Sequence, residues 1–119
     1  MSTNIKRSAL LAKGPARPPL EAAVERAFLQ EVRRLNLPVK IRKMNGLGNA
    51  SWPDRLIIGP KKFFMWIEFK RPEIGRLSPG QEVLFAEMGE MGHAVPVFTD
   101  GRKAARELMH ALREHGVLA

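Results

Sequence analysis

The chain contains no cysteine, which removes disulfides and thiolate metal ligands together; any metal must sit on oxygen or imidazole. It has no apolar run near the roughly 18 to 20 residues that a membrane-crossing helix needs. The N-terminus lacks the apolar stretch and small-residue cleavage site of a secretory signal, so a cytoplasmic protein is the expectation. There are no internal repeats. His93, His110 and His115 show no paired metal spacing and read as solvated or structural. Acidic residues are also short: 12 Asp and Glu stand against 20 Lys and Arg in 119 residues, a formal net charge of +8. That imbalance favours polyanionic partners, through phosphate contacts and counterion release.

What is present is enough for one compact domain and too little for two. Residues 1–19 hold Gly14, Pro15, Pro18 and Pro19 without apolar periodicity, and Lys6, Arg7, Lys13 and Arg17 without an acid. They read as a flexible basic arm, either a phosphate-binding tail or a solvated leader. The domain proper is expected over 20–119. Val24, Phe28, Val32 and Leu35 recur at helical spacing and predict a helix from about Leu20 to Leu35, stopped by Asn36 and Pro38. Val39 to Met44 alternates apolar and basic, as a strand with one wet face does. Asn45 to Pro53 reads as a loop.

Arg55 to Ile58 reads as a short strand and Gly59-Pro60-Lys61-Lys62 as a turn. Phe63 to Phe69, apolar except for Glu68, reads as a buried central strand. Ser78-Pro79 supplies an N-cap and first helical residue for a helix reaching about Met91. Val95 to Phe98 is a further strand. Asp100 caps a last helix carrying Ala104, Leu108 and Leu112 four residues apart. The order αβββαβα predicts an α/β fold: a mixed sheet flanked by helices, with a helical crossover between the third and fourth strands.

Two strings carry the chemistry: Trp52-Pro53-Asp54-Arg55 and Ile67-Glu68-Phe69-Lys70. Alternation along a strand puts Glu68 and Lys70 on one face. If a turn pairs the two strands, Asp54 comes close enough to Glu68 to share a divalent ion, and Mg²⁺ suits such hard oxygen ligands. Lys70 beside them could orient or deprotonate an attacking water, or neutralise charge developing on a phosphate. An E-x-K string alone is expected by chance in a chain of this composition. Its place at the end of an apolar strand gives it weight, because a buried charged pair costs stability unless something compensates it.

Glu21 and Glu25 share a face of the first helix. Glu25 lies along the apolar stripe and is the favoured candidate acid, whereas the helix dipole suffices to explain Glu21. Gln81, in the first turn of the second helix, either orients a site water or the carboxylates, or is an ordinary first-turn polar residue. Lys43, Trp52, Arg55 and Arg71 are candidate nucleic-acid contacts, with Trp52 either stacking on a base or packing its loop onto the sheet.

These residues, in this order and spacing from about Leu20 to Thr99, resemble the VRR-NUC domains of the PD-(D/E)XK nuclease superfamily. The resemblance rests on Glu21 to Arg26, the two strings, Leu77-Ser78-Pro79-Gly80-Gln81, and Gly92 to Val97. It implies a restriction-endonuclease-like αβββαβ core, here with an extra C-terminal helix, that binds Mg²⁺ or Mn²⁺. It makes Asp54, Glu68 and the Phe69 carbonyl metal ligands, Lys70 the catalytic lysine, Glu25 the helix acid and Gln81 the matching glutamine. Stand-alone phage-type members look like homodimers that cut branched DNA such as Holliday junctions. One departure is local: Ala50-Ser51-Trp52 precedes Pro53 where the family usually has Gly, and the glycines here fall earlier, at Gly46 and Gly48.

Overall fold

The computed structural model describes residues 20–44 and 51–119. The basic arm and the glycines at 46 and 48 lie outside the described residues. The elements are α1 (Glu21–Arg34), β1 (Lys40–Lys43), β2 (Arg55–Gly59), β3 (Phe63–Phe69), α2 (Pro79–Glu90), β4 (Val97–Phe98) and α3 (Gly101–Glu114). The predicted order is therefore observed. The predicted outer strands are trimmed: β1 spans four residues and β4 only two.

The sheet runs β1-β2-β3-β4. β1, β2 and β3 form an antiparallel meander, and β4 joins β3 in parallel after the α2 crossover. Alternation along β3 divides the core in two. Phe63, Met65, Ile67 and Phe69 face one side, where Val24, Phe28 and Val32 of α1 and Ala104, Ala105, Leu108 and Leu112 of α3 cover them. Trp66 faces the other side, under Phe85 and Met88 of α2, with Leu56 and Met44 beside it. Burying a side chain of this size contributes about 1.5–3 kcal/mol relative to leaving it exposed. The pattern of β3 thus fixes which helices lie on which face.

α1 and α3 cross closely at Gly101. A Cβ there would lie 2.3 Å from the Val24 carbonyl oxygen and 2.5 Å from the Phe28 nitrogen, so only glycine admits this approach. Each helix ends in a Schellman turn with a left-handed residue just past its cap: Asn36 after α1, Gly92 after α2 and Gly116 after α3. Asp100 caps α3 as expected, its carboxylate accepting the Lys103 N–H at 3.1 Å.

The turn between β2 and β3 is less ordinary. Lys61 and Lys62 both take positive φ, 58° and 63°, as a type I′ hairpin turn requires. The C-terminal segment holds it. Lys61 Nζ donates to the Gly116 carbonyl at 2.7 Å, and the His115 ring lies 2.6 Å from the Lys61 carbonyl oxygen. This accounts for His115 as a structural histidine.

Candidate active site

The β2–β3 register sets Arg55 opposite Ile67, so the residue before one, Asp54, meets the residue after the other, Glu68. Both are buried, at 7% and 1% exposure. Their main chains lock the carboxylates in place. The Asp54 N–H donates to Glu68 Oε1 at 3.0 Å, and the Phe69 N–H donates to Asp54 Oδ2 at 2.9 Å. Pro53 before them is fully buried. Packing of the Phe69 ring on Phe28, centroids 5.2 Å apart, ties the end of β3 to α1.

Lys70 Nζ approaches Glu68 Oε2 at 3.2 Å, and Gln81 Nε2 donates to the same oxygen at 3.0 Å. Gln81 is placed by the start of α2. Its N–H donates to Ser78 Oγ and its side-chain oxygen accepts the Ser78 N–H, both at 3.1 Å. This reciprocal capping box leaves the amide NH₂ directed at Glu68. One side chain thus both caps α2 and donates to Glu68.

The electrostatics follow from burial. Desolvation raises the Asp54 carboxyl above its ordinary range, against the opposing pull of the Phe69 N–H. Desolvation, then the neighbouring Asp54 charge, raises Glu68 despite its bonds to Lys70 and Gln81. Two carboxylates sit together with one close ammonium, so the cluster lacks positive charge. A hard cation fits that deficit, and Asp54 and Glu68 are the side chains that could hold it. Among the described residues no group of three His, Asp or Glu side chains converges as a metal cage. Two carboxylates suit Mg²⁺, which keeps several of its waters.

On α1, Glu25 is ion-paired with Arg55, and both side chains are largely covered, at 15% and 14% exposure. Glu21 stands in the field of the cluster. Its carboxyl is raised by desolvation first and by Asp54 second, with Lys70 opposing. Glu25 also acts on Asp54, raising it. The structure thus brings both helix acids to the site, with Glu25 engaged by a guanidinium.

The nucleic-acid candidates separate. The register pairs Lys43 with Arg55 and Arg42 with Leu56. Lys43 and Arg55 therefore share the α1 side, while Arg42 and Lys40 lie on the side of Trp66. Trp52 packs against Trp66, centroids 5.6 Å apart, yet stays 41% exposed. Arg71, in the turn after Lys70, has a buried Nε without a hydrogen-bond partner. Sequence reasoning passed over Lys40, Arg42 and Phe64. Strand alternation groups Lys40 with Arg42, and the register adds Phe64 to them.

No family model and no curated protein matches the chain by sequence. Among solved structures, the fold matches one described as a VRR_NUC domain, with a TM-score of 0.61 and 23% identity, covering 76% of this chain and 94% of that one. The chain has the fold of a VRR_NUC domain, an α/β restriction-endonuclease-like core in which, among the described residues, a mixed four-stranded sheet is flanked by three helices.

Proposed function

We propose that the protein is a divalent-metal-dependent endonuclease of the PD-(D/E)XK type that hydrolyses DNA phosphodiesters. The observation that carries this reading is the buried cluster of Asp54, Glu68 and Lys70, cross-braced by main-chain N–H groups and by Gln81. A binding module has no use for buried, desolvated carboxylates where a polyanion approaches. The VRR_NUC fold supports the same reading.

Asp54 and Glu68, joined by the Phe69 carbonyl, would hold Mg²⁺ or Mn²⁺. When bound, such an ion supplies the Lewis acidity that makes water nucleophilic at neutral pH and offsets charge on the phosphate. The chain's own groups do the rest. Lys70, 3.2 Å from Glu68, orients the attacking water or neutralises charge on the phosphoryl oxygens. Gln81 fixes the Glu68 carboxylate. Glu25 holds Arg55 at the edge of the site, and Lys43, Trp52, Arg55 and Arg71 contact the DNA. The net charge of +8 favours approach to phosphates, and the basic arm at 1–19 adds contacts of the same kind.

The substrate we favour is branched DNA, in the manner of a Holliday junction resolvase acting in the cytoplasm, with the gene in a phage or prophage setting. One domain holds one site, whereas resolving a junction takes two symmetric cuts, so a homodimer is the working unit. The test is cleavage of a labelled four-way junction, a flap, a single strand and a plain duplex, with Mg²⁺ or Mn²⁺. Wild type should cut the junction best, while Asp54→Ala, Glu68→Ala and Lys70→Ala should not cut. Variants that cut as well as wild type would remove the site. Metal-independent, salt-sensitive binding without nicking on any substrate would make the protein a DNA-binding module.

A further inference from the structure

The described residues cover only part of the sheet face that carries Glu68. α2 closes it over Trp66, Leu56 and Met44, but further along the same strands Phe64 and Ile58 stand 45% and 48% exposed. The register pairs them, Ile58 with Phe64 and Leu56 with Trp66. Trp52 closes one side of this patch. With Phe64, Trp66, Met88, Met91 and His93 it lines a cavity of about 220 Å³. Phe64 meets both Trp66 and His93 edge-on, with centroids 5.7 Å apart.

Two further features say what fits there. The first is charge. β1 continues this face outward with Lys40 opposite Ile58 and Arg42 opposite Leu56, both exposed. An aromatic patch flanked by an ammonium and a guanidinium suits a nucleotide, with its π-face and its phosphate, better than an apolar protein side chain. The second is position. Phe64, Trp66 and Glu68 alternate along β3, so Trp66 lies about 7 Å from Glu68 at the usual strand rise. Trp52 likewise stands two residues before Asp54. The cavity and the carboxylates therefore share one wall.

We propose that the exposed Trp52 and Phe64, backed by the buried Trp66 and flanked by Lys40 and Arg42, form a stacking site for an unpaired nucleobase of the DNA strand whose phosphate lies at Asp54 and Glu68. The inference rests on the nuclease reading and sharpens it: the preferred substrate has an unstacked base next to the cleaved bond. A base within continuous duplex cannot enter without unstacking, at a cost of a few kcal/mol, so strands already open at that point are selected.

The experiment is a metal-free binding titration with DNA carrying 2-aminopurine, either at an unpaired position or within a duplex. Wild type should quench the unpaired probe and bind that DNA more tightly. Trp52→Ala and Phe64→Ala should abolish the quenching and weaken unpaired DNA by about 5- to 150-fold, the range seen for loss of one stacking aromatic. Trp52→Phe should restore most of the preference. Lys40→Ala and Arg42→Ala should weaken both DNAs alike and flatten the salt dependence. Thermal melts matching wild type establish that the Ala variants are folded. Equal binding of the two DNAs by wild type, or an unquenched probe, overturns the stacking site. So does a patch that instead holds two copies together, seen as a dimer lost in Phe64→Ala with the probe unquenched. Failure of the nuclease reading is separate: quenching by wild type without cleavage under Mg²⁺ or Mn²⁺ supports the stacking site and removes the nuclease.

Discussion

The Asp54 N–H donates to the Glu68 carboxylate at 3.0 Å, while the Asp54 carboxylate accepts the N–H of Phe69, the next residue after Glu68, at 2.9 Å. Each acid is thus oriented by main chain that the other strand supplies. Preorganisation of this kind means that charge, not shape, is what a conservative substitution removes. Asp54→Asn should therefore fold, since its amide oxygen still accepts the Phe69 N–H, while Glu68→Gln should fold with a lower melting temperature, because its NH₂ faces the donors of Lys70 and Gln81. Their cleavage rates under Mg²⁺ should fall at least about 100-fold, in keeping with the loss of a preorganised charge at a reacting phosphate. Single-turnover assays beside thermal melts check both halves; an Asp54→Asn variant of near wild-type rate would move the metal elsewhere.

Burial raises the carboxyls of Asp54 and Glu68, and the consequence for stability has a definite sign. A raised folded-state pKa means the folded protein binds more protons than the unfolded chain between the ordinary carboxylate range and the raised value. Stability contributed by these groups is fully present below the ordinary range and falls as pH rises through that window. The metal-free protein should lose melting temperature from this source on going from acid toward neutral pH. Glu68→Gln should flatten the slope. Adding Mg²⁺ at neutral pH should restore stability, by about 2.7 kcal/mol at a hundredfold excess over its dissociation constant. Melts across pH, with and without the ion, provide the check; a metal-free protein that gains stability with pH in this window, and does so through these residues, would contradict the assignment.

Gln81 combines two tasks that substitution can separate. Gln81→Ala removes both the bond to Ser78 and the bond to Glu68, and it should lower metal affinity or activity about 10- to 100-fold while weakening the start of α2. Gln81→Glu keeps an acceptor for the Ser78 N–H but sets a carboxylate against Glu68. It should retain the cap and impair the site. Single-turnover cleavage with matched melts distinguishes the two: loss of activity in both variants, with the helix start preserved only in the second, is the expected pattern.

Much of this was legible in the sequence, and for identifiable reasons. The apolar run Phe63 to Ile67, bounded by a turn signal, reads as a buried strand, and it is one except at Phe64, which is 45% exposed; Glu68 at its end demanded compensation. Ser78-Pro79 and Asp100 are local signals that act without tertiary help. What escaped depends on contacts between distant segments. The left-handed Lys61 and Lys62 are held by Gly116 and His115, more than fifty residues on. That Lys40 and Arg42 share the face of Phe64 and Trp66 needed the strand register. The pairing of Glu25 with Arg55 needed the packing of α1 across the sheet, which helical periodicity does not give.

Gly101 belongs to the same class, since nothing in its surroundings along the chain marks it. Gly101→Ala places a methyl 2.3 Å from the Val24 carbonyl oxygen, and α1 and α3 must separate to admit it. Overpacking typically costs about 1–3 kcal/mol, or roughly 4–8 °C of melting temperature per kcal/mol in a domain near 100 residues. Gly89, where an added Cβ meets nothing within 4 Å, is the internal control: Gly89→Ala should be neutral or stabilising in α2.

The two helix acids make the sharpest distinction. Glu25 is tied to Arg55, while the Glu21 carboxyl is raised by desolvation and by Asp54. A Glu25 that acts through Arg55 should show coupling in a double-mutant cycle. Glu25→Gln leaves a guanidinium with little exposure uncompensated, Arg55→Met leaves a carboxylate so, and the double variant should recover stability relative to the sum of the two. Glu21→Gln should leave that cycle untouched. Because Glu21 adds negative field at Asp54 and Lys70, its neutralisation should instead weaken Mg²⁺ binding with little effect on melting of the metal-free protein. Calorimetric titration of Mg²⁺ into the variants decides between them. Metal affinity lost in Glu25→Gln with no coupling to Arg55 would return the role of helix acid to Glu25 alone.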